Sequence, residues 1–121
     1  MINAAHTIVY AEDAALARAF FRDVIGWKHV DDGGGWLIFQ QPPTELGIHE
    51  TGPDAPAGHE LFLMCDDVDA TVAELRAKGV EFEGEVTDQG WGRLITMHVP
   101  GAGKMGLYQP AHRSPLGMTG D

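Results

Sequence analysis

His6 and His59 are the residues that most invite chemistry. Each opens an apolar, strand-like run, and each could offer an imidazole to a metal or a proton. Glu60 follows His59 directly and adds a carboxylate. His59-Glu60 lacks the second histidine, one helical turn on, that a zinc protease helix needs. Six histidines against a single cysteine exclude a thiolate-rich zinc site. Cys65 falls on the helix-facing side of a strand pattern, a poor place for a nucleophile. Gly33-Gly34-Gly35 has no Lys-Ser or Lys-Thr after it, so it is a turn and not a phosphate loop. No Gly-x-Ser-x-Gly elbow is present. His29, His98 and His112 carry no readable signal.

The elements that must position these groups come in two similar halves. Residues His6 to Trp27 read HTIVYAEDAALARAFFRDVIGW, and residues His59 to Val80 read HELFLMCDDVDATVAELRAKGV. A shift of 53 residues places His6 on His59 and Gly26 on Gly79. Leu46-Gly47-Ile48-His49 likewise matches Met105-Gly106-Leu107-Tyr108. In each half an alternating strand leads to an aspartate cap, an amphipathic helix and a glycine stop. The spacing predicts a strand over 4–11 and a helix over 14–25 capped by Asp13, with Leu16, Ala17, Phe20, Phe21 and Val24 as its apolar stripe. Strands over 27–31, 36–40 and 45–49 follow, divided by Asp32-Gly33-Gly34-Gly35 and Pro42-Pro43. The second half predicts a strand over 60–65, a helix over 68–78 capped by Asp67, and strands over 80–86, 93–99 and 104–109. Leu61, Leu63 and Cys65 share one face of the 60–65 strand; Glu60, Phe62 and Met64 share the other.

The predicted fold is therefore α+β, one domain over residues 1–121. Two βαβββ modules form curved mixed sheets around a shared cavity. Module one covers about 4–50 and a linker 51–58. Module two covers about 59–110, and 111–121 is an irregular tail. The groove between such halves is a natural ligand site. The length suffices for a core, and no apolar run approaches the roughly 18–20 residues that span a bilayer. No basic-plus-apolar leader opens the chain, and one cysteine cannot form an internal disulfide; both suit a reducing cytoplasm. The net charge of −10 repels nucleic acid, favours solubility and attracts cations.

This arrangement resembles the vicinal oxygen chelate superfamily, which includes glyoxalase I, extradiol dioxygenases and the fosfomycin and bleomycin resistance proteins. The most specific stretch is Phe20-Phe21-Arg22-Asp23-Val24-Ile25-Gly26-Trp27, similar to the family's helix end. Asp67-Val68-Asp69-Ala70, Leu75-Arg76-Ala77-Lys78-Gly79-Val80 and Trp91-Gly92-Arg93 fit the second module, and Gly101 to Gly103 keep only part of a familiar turn. The resemblance implies a homodimer and, in metal-dependent members, one ligand on the first and last strand of each module. His6 stands at the first such position. The second module offers His59 by gapless repeat, or Glu60 if one residue is skipped, and Glu60 shares the cavity face. The last-strand positions are Gly47 and Gly106, where a metal enzyme carries carboxylates. His49 lies two residues from Gly47, about 7 Å along the strand, too far to substitute simply.

The expectation is accordingly no metal and no cofactor. The glycines either mark bends in a curved sheet or thin the wall so that a flat ligand approaches the backbone. Ile8, Tyr10, Trp36 and Ile38 would line the cavity from module one. Phe62, Met64, Trp91, Ile95, Met97 and Tyr108 would line it from module two. His6, His49, Glu60 and Arg93 would be its few polar contacts. A flat ligand is expected between Trp36, Trp91 and Tyr108, while Trp27 is a packing or dimer residue. The leading function is capture of a bulky aromatic natural product or antibiotic without conversion, with neither nucleic acid nor membrane as partner. The alternatives are a glyoxalase- or dioxygenase-type metal enzyme with non-standard ligands, or a metal-free enzyme with Glu60 or His6 as base.

Overall fold

The computed structural model describes residues 6–45, 47, 59–113 and 115–116. Asp13 caps α1 (Ala14–Ala19) by accepting a hydrogen bond from the Leu16 N–H at 3.0 Å. The helix then widens into a π-helical segment over Phe20–Ile25. There the N–H groups of Gly26 and Trp27 both donate to the Phe21 carbonyl, at 2.9 and 3.2 Å. A wider turn separates consecutive side chains by a smaller angle. Both Phe20 and Phe21 therefore reach the core, and their rings meet edge to face with centroids 5.3 Å apart. Gly26 ends the segment in the left-handed conformation that glycine adopts without steric cost. Leu16, expected on the buried stripe, is exposed; in this short helix Ala17 and the two phenylalanines make the inward contact.

β1 (His29–Asp31) and β2 (Leu37–Phe39) form an antiparallel hairpin with Val30 opposite Ile38. Its turn holds Gly33, Gly34 and Gly35 at positive φ. Phe39 packs 6.0 Å from Phe21, and Trp27 stacks on Phe21 at 5.3 Å, so Trp27 is a packing residue. Residues 6–11, expected as the first strand, carry no regular structure, and Tyr10 is 89% exposed. Most of the expected strand over 45–49, His49 included, lies outside the described residues.

The second half folds as its sequence predicts. β3 (Phe62–Met64) leads into α2 (Val68–Ala77), then β4 (Phe82–Asp88), β5 (Gly92–His98) and β6 (Lys104–Pro110). The sheet order is β3-β6-β5-β4, with β3 parallel to β6 and the other pairs antiparallel. The architecture is α+β, as the alternating patterns require. Asp67 caps α2 through the Ala70 N–H at 3.1 Å, and the Gln109 side chain accepts from the Val68 N–H at 3.0 Å. Two of the four N–H groups that a helix start leaves open are thus satisfied. α2 buries Val68, Val72 and Leu75 against Ile95, Met97, Val99, Met105 and Leu107 of the sheet. Each such side chain contributes about 1.5–3 kcal/mol by leaving water. The first helix docks on this core at its two ends: Phe20 of the π-helical segment packs into it, and the N–H of the cap residue Asp13 donates to the Gly101 carbonyl at 2.9 Å. A Cβ at Gly101 would collide with the Asp13 carbonyl oxygen.

Candidate ligand site

The face of the second sheet away from α2 is built by alternation. Phe62 pairs with Gly106 and Met64 with Tyr108, while Leu94 and Thr96 of β5 stand opposite Tyr108 and Gly106. These residues share one face. An open groove of about 480 Å³ runs over it, within the range of small-molecule sites. Phe62, Leu94, Thr96 and Gly106 form its floor. Ile8 and Val9 also line it, and His59, Glu60 and Lys104 supply its polar groups.

Gly106 is filled space. A Cβ there would run into the Phe62 ring and approach Leu94 Cδ1 at 3.3 Å. Phe62 thus occupies the volume that a side chain at position 106 would claim. Gly47 differs: a Cβ there would meet nothing within 4 Å among the described residues. A last-strand carboxylate of the metal-dependent type therefore has no place at 106 while Phe62 keeps its position, so the residues present do not fit the family's metal. Among the described residues, no three His, Cys, Asp or Glu side chains come together as a cation site would require.

Beside the groove, three rings meet edge to face. Trp91 lies 5.2 Å from Tyr108 and 6.3 Å from Phe62, and Phe62 lies 5.8 Å from Tyr108. Such pairs contribute about 0.5–1.5 kcal/mol each beyond area burial. Trp91 remains 42% exposed and offers surface to a partner molecule. The Tyr108 hydroxyl donates to Glu45 at 3.2 Å and lies 3.1 Å from His112 Nε2. Burial first, then the Glu45 carboxylate, pushes the Tyr108 hydroxyl up to about 12. It therefore stays protonated and serves as a hydrogen-bond donor.

Several expected site residues meet here: Ile8, Glu60, Phe62 and Gly106 at the groove, and Trp91 and Tyr108 in the corner. Met64 is half-buried on the same face, one register step from Phe62. Three expected cavity residues, Ile95, Met97 and Arg93, face the other way. Met97 is fully buried with Ile95 in the core against the helices, because the inward face of β5 is the odd-numbered one; Leu94 and Thr96 face the groove instead. Arg93 shares that odd-numbered face and binds Asp69 of α2 through two hydrogen bonds, at 2.7 and 3.2 Å. A guanidinium so held forms a helix-to-sheet tie. His6 is exposed, Ile38 is half-buried opposite Val30, and Trp36 is 53% exposed beside the hairpin turn. Trp91 and Tyr108 touch each other directly, so no ring-sized slot separates them. Sequence reasoning missed Leu94 and Thr96 through a one-residue choice of face. It missed Glu45 and His112 because neither sits in a motif.

The family model described as the Glyoxalase/Bleomycin resistance protein/Dioxygenase superfamily matches residues 3–110, and the chain belongs to this superfamily. Among solved structures it is similar to TnmS3, an antibiotic binding protein from Streptomyces sp. CB03234. The identity is 30%, covering 84% of this chain and 90% of that one, with a TM-score of 0.60. A glyoxalase/bleomycin resistance protein from the same strain is 29% identical, covers 84% and 95%, and has a TM-score of 0.55. A lactoylglutathione lyase from Agrobacterium tumefaciens is 20% identical over 88% and 92%, with a TM-score of 0.61, a likeness of fold alone. No curated protein matches the chain significantly.

Proposed function

We propose that this protein captures a bulky, flat aromatic molecule, such as an antibiotic, and releases it unchanged. One observation carries the reading: the Phe62 ring fills the place where a metal enzyme of this family would set a carboxylate. An aromatic wall then stands where a Lewis-acid site would be built. Burial and stacking need only such a wall and a few polar groups, here Glu60, Thr96 and Lys104. The similarity to an antibiotic binding protein supports the same reading. The charge of −10 speeds the encounter with a cationic ligand. The half-buried thiol of Cys65, in no disulfide, suits a reducing cytoplasm.

The working form in this reading is a homodimer. Ile8, Tyr10, Val30 and Trp36 are large apolar residues left exposed on the first half, and a second subunit would cover them. No helix among the described residues is long and apolar enough to cross a membrane.

The test is a fluorescence titration with polycyclic aromatic antibiotics, read from the tryptophans, with mass analysis of the recovered ligand. Capture predicts saturable quenching, an unchanged ligand mass and no stoichiometric transition metal in the purified protein. A converted ligand would identify an enzyme.

A further inference from the structure

We propose that Glu83 is a positioning residue for the groove: it holds Lys104, leaves Glu60 as the open carboxylate, and so selects a flat ligand that carries a cationic amine. The inference rests on the capture reading of that site and names the class of molecule captured.

The charges on the groove face follow from the sheet register. Phe62 pairs with Gly106, so carrying that parallel register back two residues sets Glu60 beside Lys104. Both line the groove. Glu83 of β4 stands opposite Thr96, and Thr96 opposite Gly106, which puts Glu83 on the same face. Lys104 therefore has a carboxylate on either side of it. Glu60 is on the adjacent chain segment, and Glu83 is two strands away, beyond β5.

The ammonium takes the farther one. Lys104 reaches over β5 and pairs with Glu83. That hydrogen bond holds the Glu83 carboxyl below the usual carboxylate range. His98 Nε2 lies 3.7 Å from the same Glu83 oxygen. Among the described residues, Glu60 makes no hydrogen bond or ion pair. The remaining titratable group of the groove is His59. Lys104 and Glu83 cancel, and Glu60 is left as an uncompensated carboxylate next to the apolar floor of Phe62 and Leu94.

A lone carboxylate beside an apolar wall is complementary to a flat ring system bearing an ammonium group. An anionic ligand would be repelled by Glu60 and would find Lys104 already taken. This selection is local, unlike the diffuse attraction of the whole chain's charge, because it depends on which carboxylate Lys104 serves. Without the Glu83 charge, Lys104 would turn to Glu60 on the adjacent segment. The groove would then lose its open charge, although Glu83 itself does not line it.

The test uses two fluorescent probes with one flat body: 1-aminomethylpyrene, an ammonium at neutral pH, and its uncharged N-acetyl amide. The parent should bind the amine about fivefold tighter than the amide, the upper end for an exposed ion pair. Glu60→Gln and Glu83→Gln should each bring the two affinities level. Lys104→Met should keep the amine preference. Lys104→Met added to Glu83→Gln should restore it, because no ammonium is left to occupy Glu60. A Glu83 that served only the fold would not show that rescue. Glu74→Gln, on the helix side of the sheet, removes the same charge and should keep the preference. All these side chains are exposed, so the substitutions leave the core untouched. Equal affinity for the two probes in the parent would keep capture and overturn the charge assignment. So would a preference that survives Glu83→Gln, fails to return in the double variant, or collapses in Glu74→Gln. A parent that binds neither probe would remove the capture reading and this inference with it.

Discussion

The two halves of this chain carry the same pattern and reach different structures. The second half closes its own four-stranded sheet around α2, and most of the core comes from it. The first half contributes a widened helix and a two-stranded hairpin, and only Phe20 and Phe21 of its described residues are fully in that core. The paired glycines show the contrast most sharply. Gly106 makes room for Phe62, while no described residue crowds Gly47. Equal residues at equal repeat positions thus do different work, because the neighbour that meets them differs. An aromatic side chain on β3 turned one glycine into a packing requirement.

The largest effect that would sharpen this contrast is in the core. Met97→Ala should cost about 2–5 kcal/mol of folding stability, as buried large-to-small changes do. Ile38→Ala, on the half-buried hairpin, should cost clearly less. Urea denaturation of both variants checks this, and equal losses would mean that the halves share the core evenly.

Next come the glycines. Gly106→Ala should cost about 1–3 kcal/mol through the clash with Phe62, whereas Gly47→Ala should stay within about 0.5 kcal/mol. Adding Phe62→Ala to Gly106→Ala should recover part of the loss. A double-mutant cycle with no coupling would separate the two residues.

A smaller effect concerns the ligand. Trp91→Ala should weaken capture about tenfold, near 1.4 kcal/mol, and should lower the thermal midpoint modestly through its two lost ring contacts. Trp36→Ala tests whether the exposed ring of the first half takes part; a comparable loss would extend the site across both halves.

The smallest effect is electrostatic. Hydrogen bonding to Arg93 holds the Asp69 carboxyl below the usual carboxylate range. A carboxylate so lowered stabilises the fold above its unfolded value, about pH 4, and that contribution fades as pH falls through the folded value. Asp69→Asn should therefore melt slightly below the parent at neutral pH and level with it in strong acid. The pair is exposed, so salt should shrink the difference.

Much of the second half was legible beforehand. The Asp67 cap, the spacing of Val68, Val72 and Leu75, and the split of Leu61, Leu63 and Cys65 from Phe62 and Met64 all read directly from periodicity. β5 was read one residue out of phase. Its run Leu94-Ile95-Thr96-Met97 offers apolar residues to both faces, so alternation alone does not choose between them. The unformed strand over 6–11 was equally hidden: Ile8, Val9 and Tyr10 have every local preference for a strand, yet a strand needs a partner edge.

By itself the sequence determined the repeat, the helix caps, the α+β class and the family, since these depend on local spacing and residue type. It also marked Gly47 and Gly106 as the positions where carboxylates are missing. Only the tertiary structure decided that Phe62 fills one of those places, that Arg93 serves α2, and that Glu45, Tyr108 and His112 meet. Those facts join residues up to 67 positions apart, from Glu45 to His112. No local pattern encodes such a meeting, because it depends on how the segments pack around a shared core.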